Sequence, residues 1–462
     1  MFSKNTTYLL VSLIAQVIFG TSCKKFTDVG NPEAQLERNS VFSSNATAVG
    51  AQLSIYAQME SNGLAYNMII TPGVTADEFT SLGTTAAAID LATNNLTADN
   101  ITTYSFWTNF YRYIYQANAL IEGVEKSTVV SSEIKQQLIG EAKFTRAFCY
   151  FYLVNLFGDV PITKSTDYKT NESITRSPVT EVYDFIIADL VEAISLLSSN
   201  YLSPSNVAIT ERVRPNKAAA SALLARVYLY TGKWAEAETE SSKVIGASTT
   251  YSLNSNLNNS FLKNNSEAIW QLMPVTPGYN SYPGSQLVTK LTPTVVSVDT
   301  NFVKSFRASD NRKSAWIQPL TVSGKTYFLP NKYKIGQNVT PITEYTVILR
   351  LSEQYLIRAE ARAKLNNIVG GTGDLNAVRV RAGLPALTGL TQASLTDSVQ
   401  VERKYELFAE FADRWLNLKR TGTVNQVMAP LKGSSWSSAD QLYPIPLVEI
   451  NRNSKLTQNP GY

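Results

Sequence analysis

No histidine occurs anywhere in the 462 residues. That absence removes the side chain most used as general base and as transition-metal ligand near neutral pH, and it excludes Ser-His-Asp and Cys-His catalysis outright. Only two cysteines are present, Cys23 and Cys149, so the chain has neither a CxxC pair for zinc nor a disulfide framework, and no cofactor or metal is expected. Cys149 sits in an apolar helical run and reads as a small buried hydrophobe. Neither sign of charge dominates: 41 basic residues face 37 acidic ones, and setting aside a leader whose one charge is Lys4 leaves 40 against 37, or +3. No window concentrates Lys and Arg, which argues against a nucleic-acid partner. Long-range steering of a charged ligand is also excluded, so a ligand is expected to be neutral or held by local contacts. With 44% hydrophobic and 17% charged residues the chain is expected to be globular, and its length calls for several domains or a helical repeat array.

Lys4 precedes an apolar run from Leu9 to Phe19 broken only by Ser12 and Gln16, followed by Gly20, Thr21, Ser22 and Cys23. The run is well short of the roughly 20 residues that span a bilayer, and no later run is longer. It reads as an export signal over 1–22. A cysteine just after small residues resembles a bacterial lipobox, with Gly20 in place of the usual leucine, which makes Cys23 the lipidated residue. The alternative is an ordinary secreted protein with Cys23 as a free thiol.

Apolar residues recur at helical spacing through most of the remainder, as in Phe144, Ala147, Phe148, Phe151 and Tyr152, or Ala220, Leu223, Leu224, Val227 and Tyr228. The stripe Val401, Tyr405, Phe408, Ala409 and Ala412 predicts one long helix near the C-terminus. ALLARVYLYTGKWAEAETESSKVI, Ala222 to Ile245, matches the tetratricopeptide pattern: a helix, a turn at Gly232, then a helix opened by Trp234. Weaker copies begin at Gly140 and at Glu353. Such pairs bury their apolar faces only by stacking. The fold class is therefore mainly α: a tetratricopeptide-like helical repeat scaffold with long loop-rich insertions and minor β. The insertions are Ser61 to Tyr104 and Tyr251 to Glu344, rich in Gly, Pro, Thr, Asn and aromatics; the second opens with a strand-like EAIWQLM. Loops this long are usually functional. VSGKT at Val322 fails as a phosphate loop because Pro319 replaces the required glycine, and GTGDLN at Gly371 fails the dinucleotide pattern at Asn376. Both read as turns.

Four stretches resemble the SusD/RagB family: SCKKFTDVGNPE, GEAKFTRAFCYFYLVNLFGDVPI, ERKYELFAEFADRWLNLKRTG and LYPIPLVEINRNSKLTQNPGY. Their order spans nearly the whole chain after the leader and divides it into an N-terminal SusD-like region, 23–265, and a C-terminal RagB/SusD region, 266–462. Departures from the pattern are Cys149, Tyr152, Phe411 to Asp413 and Ser454. The resemblance implies a non-enzymatic, cell-surface nutrient-binding lipoprotein of the outer membrane, held there only through its N-terminal lipid. It further implies a SusC-like TonB-dependent transporter as partner and an oligosaccharide ligand, with a peptide possible. The charged residues of ERKYELFAEFADRW read as helix-face ion pairs that hold the scaffold.

The resemblance also places the ligand on aromatics before the Trp107 helix and after the EAIW strand. The candidates for stacking are Tyr66, Tyr279, Tyr282 and Trp316, with Asp77 as a polar partner. Sugar C–H faces stack on rigid aromatics, and hydroxyls need only a few polar groups. Trp107 and Trp270 lie in apolar runs and are assigned to the core. Two rival classes remain. A glycoside hydrolase needs only two carboxylates, but Asp77, Glu78, Asp90, Asp99 and Asp310 carry no hydrolase signature around them. An assembly protein would bind peptide in a repeat groove at Tyr228 and Trp234, which fit the packing positions of the repeat better.

Overall fold

Helical periodicity and well-placed caps set the main elements of the computed structural model, which describes residues 38–462. Cys23, the signal peptide and the SCKKFTDVGNPE stretch lie outside the described residues. Helix α1 (Asn45–Ser61) starts on Ser44, whose hydroxyl accepts from Thr47 N at 3.1 Å, and α2 (Leu64–Thr75) begins immediately after Gly63. Two 26-residue helices follow, α3 (Ile101–Lys126) and α4 (Ser132–Phe157), then α5 (Val179–Leu196), α6 (Lys217–Tyr230) and α7 (Trp234–Gly246). The short α8 (Tyr282–Leu287) lies in the second insertion; beyond it come α9 (Leu351–Lys364), α10 (Ile368–Arg381), α11 (Gln392–Glu406) and α12 (Asp413–Arg420).

Neighbours in sequence are neighbours in space. Helix α4 packs on α3 and α5, α6 on α5 and α7, α7 on α9, and α9 on α10 and α11. This is the stacking that amphipathic helix pairs require. The pair α6 and α7 turns at Gly232, whose φ of +71° lies in the left-handed region, and α9 and α10 turn at Asn366 with φ +62°. The inward face of α4 is fully buried from Phe144 to Leu153, and Cys149 lies within it.

The β content is small and antiparallel: β1 (Phe79–Ser81) pairs with β5 (Val296–Val298), β2 (Tyr201–Leu202) with β3 (Ala208–Ile209), β4 (Ala268–Leu272) with β8 (Thr346–Arg350), and β6 (Ile317–Val322) with β7 (Lys325–Pro330). Strand β4 carries the EAIW sequence into the core. Trp270 is enclosed by Phe144, Phe148 and Tyr56 at ring centroid distances of 5.0, 5.4 and 5.7 Å, near edge-on, and its indole N–H donates to Val213 O at 3.2 Å. Trp107 is buried as well. The β1 to β5 pairing, with Phe79 opposite Val298, stitches the two insertions together.

Three sequence expectations are corrected and a fourth, the VSGKT turn, holds. The first insertion is less irregular than its composition suggests, since α2 forms there despite Pro72 and Gly73. GTGDLN is not a turn but lies inside α10, where a Cβ on Gly371 would stand 2.9 Å from Leu395 Cδ2 and 3.0 Å from Ala359 O. Its glycine serves close helix packing. VSGKT does turn, as the two-residue hairpin loop Ser323-Gly324 with φ of +51° and +76°. The predicted long C-terminal helix breaks between α11 and α12, where Ala409, Phe411 and Ala412 all have positive φ.

That break serves a buried ion cluster. Arg350 reaches Glu267 at 2.7 Å, Glu410 at 2.7 Å and Glu406; Arg312 reaches Glu402 at 2.6 Å, Asp310 at 2.8 Å and Glu406 at 3.1 Å. Arg381 and Lys332 complete the cluster against Glu267, Glu406 and Glu410. The charged residues of ERKYELFAEFADRW are thus structural, as expected, but they cross-link distant segments in the interior instead of pairing along one helix face. Breaking such a buried pair from one side typically costs about 3 to 5 kcal/mol.

Candidate functional site: a tyrosine cluster between the insertions

Three of the four aromatic candidates come together. Tyr66, in the first turn of α2, lies 6.0 Å from Tyr282 at the start of α8, with ring planes at 51°, and Tyr279 lies 5.9 Å from Tyr282 at 75°. All three rings are half-buried, each keeping a solvent-facing part. Local sequence explains the placement. Ser281 caps α8 by accepting from Gly284 N at 3.1 Å, which points Tyr282 back over the α1 to α2 joint. There Gly63 has φ +64°, and a Cβ on it would sit 2.5 Å from Tyr282 Cε1. Only glycine meets both demands.

The loop bearing Tyr279 is braced. Asn280 donates to Val339 O at 2.8 Å and accepts from Thr343 N at 2.6 Å, while Asn338 N donates to Gly278 O at 2.7 Å. Gln286, exposed on α8, reaches the Tyr279 hydroxyl at 3.5 Å. The rings are therefore held before any ligand arrives.

Beneath the cluster lies Glu60, 2% exposed, whose Oε1 accepts from Tyr282 N at 2.9 Å and from Thr346 Oγ1 at 3.0 Å. Its Oε2 has no hydrogen-bond partner among the described residues. Burial pushes this carboxyl up to about 7, against the two hydrogen bonds that favour its charged form. Burial also pushes the Tyr66 hydroxyl up to about 12, with Tyr282 adding to it, and raises Tyr282 itself, with Tyr279 and Glu60 adding.

Two candidates fall away. Trp316 is fully buried: its N–H donates to Leu257 O at 3.2 Å, Phe261 packs edge-on at 6.1 Å, and the Lys332 ammonium lies 4.4 Å from the ring centre. It is a wall of the ion cluster and offers no face to a sugar. Asp77 is engaged elsewhere, gripped by Arg414 through two bonds of 2.6 and 2.7 Å. Burial would raise its carboxyl, but Arg414, with Lys404 behind it, holds it below the usual carboxylate range. Asp77 lines a separate cleft of about 420 Å³ with Asp299, Phe302 and Lys404. Sequence reasoning missed Glu60, Asn280 and Gln286, because nothing local distinguishes them from ordinary helix-end and loop residues.

Comparison with known proteins agrees with this architecture. Residues 25–229 match the family described as "Starch-binding associating with outer membrane", and residues 300–462 match the SusD family. SusD-like protein P2 of Formosa agariphila is 27% identical over 94% of this chain and 95% of its own length. The starch-binding protein SusD of Bacteroides thetaiotaomicron is 26% identical over 76% of each chain. Among solved structures, a laminarin-binding SusD-like protein superposes with a TM-score of 0.73 at 22% identity, covering 90% of this chain and 99% of that one.

Proposed function

Because the chain belongs to the SusD/RagB family, we propose that it is a cell-surface binding protein that captures a glycan and delivers it to a TonB-dependent transporter of the SusC type. The observation that carries the reading is the braced cluster of Tyr66, Tyr279 and Tyr282, formed where the two insertions meet. Half-exposed tilted rings offer apolar faces to pyranose C–H groups, and their hydroxyls, with Gln286, offer hydrogen bonds. The starch- and laminarin-binding relatives support a glycan as ligand. A binding role, not hydrolysis, is supported by the burial of Glu60, the carboxylate that touches the cluster: it lies 2% exposed beneath the rings, with Oε1 held by Tyr282 N and Thr346, whereas glycoside hydrolysis uses a pair of carboxylates flanking the bond.

The test is affinity electrophoresis and calorimetry on laminarin and starch. Alanine at each true stacking tyrosine is expected to weaken binding by about 1 to 3 kcal/mol. A folded Tyr66→Ala, Tyr279→Ala, Tyr282→Ala protein with unaltered affinity overturns the site.

Attachment to the outer membrane through a lipid on Cys23 is part of the same proposal. No helix among the described residues is long and apolar enough to cross a membrane. Cys23→Ala is expected to move the protein to the soluble fraction. Retention in the outer membrane would mean that another element anchors it.

A further inference from the structure

We propose that a polar cleft between α2 and the first turns of α3 is a second subsite, which takes one neutral sugar ring of a glycan whose neighbouring units lie on the tyrosines. The proposal rests on the glycan-binding reading above and adds a site and a charge preference to it.

The cleft has a volume of about 140 Å³. A cavity of roughly 150 Å³ holds benzene, and because this cleft opens to solvent beside the exposed Ile101 a larger pyranose can seat one face in it. Leu64 and Phe106 give it an apolar floor, and Asn67, Thr102, Ser105 and Asn109 give it polar walls. That combination suits a pyranose, with a C–H face to cover and hydroxyls to satisfy. Three of the four polar groups are available, and the Ser105 hydroxyl, which donates to Ile101 O at 2.9 Å, can still accept. The Asn109 amide and the Thr102 hydroxyl have no hydrogen-bond partner among the described residues, and Asn67 spends only one long contact, 3.4 Å, on Asn62 O. An amide presents both donors and acceptors, which matches a hydroxyl in either role.

No Asp, Glu, Lys or Arg lines the cleft. The α3 amino terminus is partly capped, since Asn100 Oδ1 takes the Thr102 N–H at 3.0 Å. At the tyrosines the charged neighbour is Glu60, which is itself acidic. The cleft therefore offers no countercharge to a uronate or sulfate and favours an uncharged ring. The two places are joined by α2. Asn67 follows Tyr66, and one residue turns the helix by about 100°, an arc of roughly 10 Å over its surface. A chain of a few sugar units bridges that distance.

Calorimetry on the mature full-length protein with laminarihexaose, maltohexaose, their trisaccharides and hexagalacturonate tests this. Asn67→Ala with Asn109→Ala is expected to weaken the better-bound neutral hexasaccharide about tenfold, the loss of two neutral hydrogen bonds. The trisaccharide, which the tyrosines alone accommodate, should bind as before. Ser105→Trp, which fills the cleft, should give the same pattern and serves if the double variant does not fold. Unchanged hexasaccharide affinity in these variants, with affinity lost in Tyr279→Ala, Tyr282→Ala, would remove the subsite and leave the tyrosine site standing. Hexagalacturonate binding as tightly as the neutral chains at equal ionic strength would overturn the charge preference. If wild type binds no neutral glycan, or the tyrosine variants bind it unchanged, the functional reading fails and the subsite with it.

Discussion

Replacing Glu60 by glutamine should raise stability relative to wild type progressively as pH climbs from 4 to 8. The side chain is 2% exposed, and its Oε1 takes two hydrogen bonds that a glutamine carbonyl can also accept. Burial lifts its pKa from 4.5 to about 7. A carboxyl whose pKa rises on folding contributes stability that is full below 4.5 and is lost as pH climbs through 7. One unit corresponds to about 1.36 kcal/mol, so the difference of about 2.5 units predicts that roughly 3 kcal/mol disappears between pH 4 and pH 8. Glutamine does not titrate and keeps that stability. Its NH₂ at the unpartnered Oε2 position adds a pH-independent offset, so the slope carries the prediction. Urea denaturation of both proteins at pH 4, 5, 6, 7 and 8 yields the difference in unfolding free energy at each pH. Buried acids that also titrate, such as Glu78 with its pKa near 8, are present in both proteins and cancel. A difference that stays flat with pH, or that favours wild type increasingly above pH 6, would refute the claim that Glu60 is buried at the cost of its charge.

Trp415→Ala, at a fully buried ring packed edge-on against Trp436 at 6.1 Å, should cost about 3 to 5 kcal/mol in chemical denaturation and leave the glycan affinity of the folded fraction intact. Lost binding at unchanged stability would move Trp415 from scaffold to site. Gly63→Ala forces a Cβ against Tyr282 at φ +64° and should cost about 1 to 2 kcal/mol of stability as well as weaken glycan binding, since the ring is displaced. Tight binding in that variant would show that Tyr282 tolerates a second position.

The helix pairs are legible because their cause is local. The α6 to α7 unit needs only a 3.6-residue stripe, a glycine able to take positive φ and an indole to open the second helix. The break at Ala409 to Ala412 is not legible, because three non-glycine residues accept left-handed backbone there while Glu406 and Glu410 reach Arg350 and Lys332 from far along the chain. Trp316 misleads for the same reason. Its loop composition suggests exposure, and only the assembled cluster reveals the cations that cover it. Tyr66, Tyr279 and Tyr282 are found by position, yet nothing in sequence says that Gly63 leaves room for one of them to lie across the chain. Asp77 reads as a loop acid until Arg414, 337 residues away, closes on it.

The Asn280 brace has an evolutionary consequence. The residues between the end of β4 at Leu272 and the start of α8 at Tyr282 form a surface loop with both ends pinned, one by the β4 to β8 pairing and the other by Asn280, Ser281 and Glu60. Met273, Val275 and Tyr279 can then be exchanged, or the loop lengthened, without asking the helices to re-form. Selection is free to retune what the protein collects by editing some ten residues, much as hypervariable loops are retuned on an unchanging framework.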